Sequence, residues 1–106
     1  MIPDPAPPFD VRLLGLPRDQ IVNLLSRAKP LGMWELLRQQ FIEVDRALRE
    51  RPHEWGDPMR NFRALKQVLY RGVMNDVIVY YAVHDRLPEV LVTWVTAPNS
   101  HPLSDD

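Results

Sequence analysis

Three runs of β-forming residues follow one another in the second half of this chain, and all of them come after a helical first half. Residues 66–73 (KQVLYRGV), 76–85 (DVIVYYAVHD) and 90–96 (VLVTWVT) are dense in valine, leucine, tyrosine and tryptophan. Such side chains suit a pleated, half-buried surface. The polar breaks at Asn75 and at 85–88 are short, so neighbouring runs can pair as an antiparallel meander. That order of elements restricts the chain to a small α+β architecture.

The first half supplies the rest of the layer. Phe9 to Leu14 alternates apolar and polar residues before Gly15, the pattern of a short first strand. Pro17 fits the first turn of a helix, where its missing N–H costs nothing. Ile21, Leu24, Leu25 and Ala28 then recur at helical spacing until Pro30, Leu31 and Gly32 make a turn. A second helix is expected from Met33 to Glu50. Its stripe of Trp34, Leu37, Phe41, Val44 and Leu48 is the strongest periodic signal in the sequence. Packing on the first helix and the sheet explains that stripe more simply than a groove for a partner helix. Arg46, Arg49 and Arg51 interleave with Glu43, Asp45 and Glu50, which reads as a solvated face with some charge pairing.

The expected fold is therefore α+β over residues 9–96: an N-terminal strand and a two-helix hairpin packed on a mostly antiparallel four-stranded sheet. Four prolines within residues 1–8 deny that stretch regular hydrogen bonding, so it reads as a flexible tail. Residues 97–106 read as a polar C-terminal tail. In VIVYYAV both alternating sets are apolar: Val77, Val79, Tyr81 and Val83 on one side, Ile78, Tyr80 and Ala82 on the other. A strand exposed on one side alternates apolar with polar. Two helices cover only one face of a sheet, so the tails, a second copy or a different protein is expected over the other.

At 106 residues the chain has room for one core. With 45% hydrophobic residues, 25% charged residues and a net charge of −1, it has the composition of an ordinary soluble domain. Global charge gives no reason to expect nucleic acid or an anionic membrane. The absence of cysteine excludes disulfides, thiolate metal sites and thiol catalysis, and it is compatible with a reducing cytoplasm, the compartment expected here. No apolar run approaches the roughly 20 residues that span a bilayer, and no signal peptide is expected.

Few residues offer chemistry. His53, His84 and His101 stand too far apart for a standard zinc pattern, so no metal site is expected. No glycine-rich phosphate loop or nucleophile elbow is present, and no cofactor is expected. Glu50, Glu54 and Asp57 cluster around RPHEWGDP. A polar helix-to-strand connection, with Trp55 anchoring it to the core, accounts for them better than an acid–base pair. A local basic excess remains in Arg60, Arg63, Lys66 and Arg71. Such a patch can hold phosphates, although cations at a half-exposed sheet edge also suppress aggregation.

The order strand, two helices, three strands resembles the RelE/ParE toxin family of bacterial type II toxin–antitoxin systems. ALRERPHEWGDP, the glycine of YRGV, and VYYAVHD followed by VLVTWV carry the resemblance, which covers residues 9–96. It implies a toxin that cleaves messenger RNA at the ribosome or poisons gyrase, and a cognate antitoxin that neutralises it. It implies that Arg71 holds the scissile phosphate or stabilises its charge, that Arg63 and Lys66 position RNA, and that His101 donates a proton. Leu69 and Ile78 stand where the family carries basic residues. The alternative is thus a non-catalytic interaction module of the same fold, or a self-associating dimer.

Overall fold

The computed structural model describes residues 8–98 and 101–103. The elements run β1 (Asp10–Leu13), α1 (Gly15–Ala28), α2 (Trp34–Glu50), α3 (Pro52–Trp55), β2 (Asp57–Phe62), β3 (Gln67–Met74), β4 (Val77–His84) and β5 (Glu89–Thr96), with a 3-10 turn at Arg63–Leu65. The five strands form one sheet in the order β1-β5-β4-β3-β2. Only the β1–β5 pair is parallel. The α+β class thus stands, with one strand more than the four expected.

The extra strand is β2, in the segment read as a helix-to-strand connection. Its sequence DPMRNF lacks β-branched residues and contains Pro58, so local propensity argues against it. Pairing with β3 makes it a strand, and its place at the sheet edge lets the ladder tolerate a proline. A bulge between Pro58 and Arg60 further disrupts that edge, as edges that resist chain-to-chain pairing commonly are.

Local chemistry sets the helix ends. Gly32 takes φ +70°, while the Met33 N–H reaches the Ala28 carbonyl at 2.9 Å and the Gly32 N–H reaches Lys29 at 3.1 Å. This crossed pair of bonds is a Schellman close, for which glycine alone has no Cβ penalty. α2 stops at Arg51, whose φ of −149° is extended, because the ring of Pro52 disfavours helical backbone before it. Pro52 then opens α3 at a position that needs no N–H.

Both long helices lie on one side of the sheet, with α1 against β5 and α2 against α1 and β1. Leu37, Val44 and Leu48 of the α2 stripe are buried, and Trp34 and Phe41 pack partly buried against the same core. They meet Val77, Val79, Tyr81 and Val83 of β4, and Val90, Val92 and Val95 of β5. The described part of the C-terminal segment is not a detached tail. Ala97 and Leu103 are buried in this core, and Arg27 Nη1 donates to the Leu103 carbonyl at 3.1 Å. Of the Pro-rich stretch, residues 1–7 lie outside the described residues, and Pro8 is exposed.

The segment RPHEWGDP is locked onto the sheet by aromatic packing. The Trp55 ring stacks on Tyr81, Tyr81 stacks on Tyr70, and His53 meets Tyr70 edge-on. The Tyr81 hydroxyl accepts from the Gly56 N–H at 2.9 Å and donates to the Pro52 carbonyl at 2.7 Å. Desolvation pushes the Tyr81 phenol up to about 12, so it stays protonated and able to donate.

Candidate functional site: the open sheet face

The sheet face away from the helices presents side chains in rows fixed by strand register. Arg71 pairs with Asp57 on β2 and with Tyr80 on β4, and Tyr80 pairs with Trp94 on β5. Directly opposed residues share a face, so Asp57, Arg71, Tyr80 and Trp94 form one row across four strands. The next row is Arg60, Leu69, Ala82, Leu91 and Arg12. Val73, Ile78 and Thr96 flank the first row, and Phe62, Gln67 and His84 flank the second. Trp94 joins this face because of a bulge. The register shifts between Tyr80 and Tyr81, which leaves Thr93 unpaired, and the Thr93 hydroxyl donates to the Tyr80 carbonyl at 3.1 Å.

The centre of this face is already covered within a single chain. Ile78 and Ala82 are 9% and 5% exposed, so the doubly apolar pattern of β4 does not by itself require a partner. Trp94 and Val73 stay 44% and 50% exposed at the surface of the patch. Two large side chains thus remain open beside Arg71.

Four cations border the apolar rows on the β2–β3 side. Among the described residues, Arg60, Arg63, Lys66 and Arg71 make no ion pair. Arg60 instead lies over the Phe62 ring at 5.8 Å. Arg63 and Lys66 are exposed at the 3-10 turn, and Lys66 adopts φ 53°. Its carbonyl accepts the Asp85 N–H at 2.9 Å. Lys66 and Arg71 are separated along the strand by roughly 17 Å at the usual rise per residue. The cations therefore form a strip along one side rather than a single cluster.

His101 does not join Arg71. Its Nε2 lies 2.6 Å from Asp76 in the β3–β4 turn, and its Nδ1 accepts the Leu103 N–H at 3.1 Å. That second bond leaves the proton on Nε2, directed at Asp76. The same turn bonds to α2: the Gln40 amide donates to Asp76 at 2.6 Å and accepts the Asp76 N–H at 3.0 Å. The Arg71–Tyr80 pair stands about 10 Å further along the ladder at normal strand rise. His101 thus ties the C-terminal segment to the hairpin and is already engaged. His84 is engaged too, since its Nδ1 accepts the N–H groups of Arg86 and Leu87 at 3.0 Å each and closes the β4–β5 turn.

The Asp76 network gives a pH dependence. The hydrogen bond from Gln40, helped by the hydrogen bond from His101, holds the Asp76 carboxyl below its ordinary value despite desolvation. A depressed folded-state pKa contributes stability that is present above the unfolded value and lost as pH falls through the folded one. Asp76→Asn is therefore expected to lower Tm at neutral pH, with the gap to the wild type closing as pH falls below the ordinary aspartate range. Thermal melts across pH 2–7 check this, and a gap that persists at the acid end would contradict it.

A second concavity lies between α1, α2 and the sheet. It measures about 170 Å³ and is lined by Val11, Leu13, Ile21, Phe41, Val44, Leu48, Val79, Val92 and Val95, with Asp45 the one charged residue. Asp45 already pairs with Arg49 at 2.9 Å. The cleft offers no convergent polar groups, so it has shape without chemistry. Among the described residues no cluster of histidine and carboxylate groups could hold a metal ion, and no helix is long and apolar enough to cross a membrane. Comparison with family models, curated proteins and solved structures gives no match.

Proposed function

We propose that this protein is a toxin-like component of the RelE/ParE type that acts by binding single-stranded RNA on its open sheet face. An antitoxin-like protein would neutralise it by covering the same face. The observation that carries this reading is the row of Arg71, Tyr80 and Trp94 beside cations that make no ion pair among the described residues. Aromatic rings on an uncovered sheet stack unpaired bases, and neighbouring cations hold the phosphates. Binding is favoured over cleavage because His101, the proton donor that the resemblance implies, does not stand with Arg71 and bonds instead to Asp76 and Leu103.

A fluorescent single-stranded RNA titrated at about 1 μM protein in low salt tests the reading. Base stacking is worth about 1–3 kcal/mol, so Trp94→Ala is expected to weaken binding by on the order of tenfold. Arg71→Ala is expected to flatten the slope of log K against log salt by about 0.7, the value for one lost phosphate contact on a single strand. RNA binding indifferent to both substitutions, or absent at low salt, would count against the proposal.

The apolar share of the face favours a second reading, in which only a protein binds there. Leu69, Leu91 and Val73 supply a contact area that RNA uses poorly. Growth arrest on inducing the chain in bacteria, unrelieved by Arg71→Ala but relieved by Trp94→Ala, would support this protein-target reading.

A further inference from the structure

We infer that the open face is also the interface of a symmetric dimer. Two copies stack face to face about a two-fold axis that runs across the strands, between the Arg71–Tyr80 row and the Leu69–Ala82 row. The inference rests on the register of the sheet and does not depend on RNA binding.

A two-fold axis in that position exchanges the two rows and lays each strand over the same strand of the second copy. Asp57 then faces Arg60 of the second copy, and by symmetry the reverse contact forms as well. Tyr80 meets the small Ala82, Trp94 meets Leu91, and the aliphatic stem of Arg71 lies over Leu69. Tyr80 thus seats over a small residue, Trp94 and Arg71 lie over aliphatic ones, and opposite charges meet at the rim. An axis along the strands would instead set Arg60 over Arg12, two like charges. Twist rotates stacked sheets by roughly 30°, and the long Arg60 side chain spans the offset this creates at the edge strand.

The chemistry of the patch is that of an interface core. Tryptophan, tyrosine and arginine are the residue types that carry binding energy in such contacts. Five strands at ~4.8 Å and four rows at ~7 Å give a face on the order of 500 Å². That falls below the ~800 Å² per partner of a standard stable complex, so a reversible dimer with Kd of about 10–100 μM is expected.

Sedimentation velocity of the full chain from 5 to 500 μM, without RNA, tests this. The expected result is a monomer–dimer equilibrium in that range. Asp57→Arg sets like charges against Arg60 and is expected to weaken it at least tenfold. The swap Asp57→Arg with Arg60→Asp restores opposite charges in both contacts and is expected to return Kd to within about threefold of the wild type. Arg60→Asp alone serves as a second single variant, and circular dichroism melts confirm that each variant folds. A wild-type monomer at 500 μM, or a dimer indifferent to the charge reversals, would overturn the inference. At the 1 μM protein used for RNA the chain is monomeric, so failure of the dimer and failure of RNA binding are read separately.

Discussion

Gly72→Ala is expected to destabilise the fold by ~3 kcal/mol, at the upper end for overpacking a core. A Cβ at Gly72 would lie 2.1 Å from Trp55 Cζ3 and 2.4 Å from Cη2. The indole cannot retreat cheaply, because its other contact is the stack on Tyr81 at 5.7 Å between ring centres. Tyr81 is itself fully buried and stacked on Tyr70. One added methyl group therefore pushes on three rings. Urea unfolding measures the loss, and Trp55→Leu in the same chain is expected to recover part of it by shrinking the group that clashes. A change below ~0.5 kcal/mol, the range of neutral surface substitutions, would mean that the ring moves freely.

Tyr81→Phe is expected to cost ~2–3 kcal/mol while leaving every ring contact in place. The hydroxyl satisfies two backbone groups in a buried position, the Gly56 N–H and the Pro52 carbonyl. Each buried polar group left without a partner costs about 1–3 kcal/mol. Tyr70→Phe is the matched control, since among the described residues its hydroxyl meets only His53 Nδ1, at 3.0 Å, in a part-buried site. That change is expected to cost less than ~1 kcal/mol. Equal losses for the two variants would show that the Tyr81 bonds do not hold the 52–56 segment to the sheet.

The α2 stripe and the three later strands were legible because burial imposes a period on the sequence. Asn75 and Asp76 as a two-residue turn even place Arg71 opposite Tyr80 by counting back along both strands. Trp94 was not legible in the same way. Counting without the bulge would put it opposite Val79 on the helix side, and only the unpaired Thr93 turns it outward. Strand β2 left no periodic signal, because an exposed edge strand needs neither alternation nor β-branched residues. Nor did sequence anticipate that His101 and Leu103 anchor the C-terminal segment. A single buried leucine in a polar stretch looks the same as an exposed one until its cavity is known. The resemblance groups Arg71 with His101, whereas the register and the Asp76 bonds set them apart.

The claim that the open face is the binding surface is tested most directly by amide and indole NMR shifts on adding a short single-stranded RNA. Protein kept at about 20 μM, near the lower end of the dimer range expected from the area of the face, limits self-association. The account predicts shifts centred on Arg71, Tyr80 and Leu91, with the Trp94 indole among the largest and α1 and α2 unmoved. Shifts confined to the helices or to the Asp76–His101 turn, with the Trp94 indole unchanged, would contradict it.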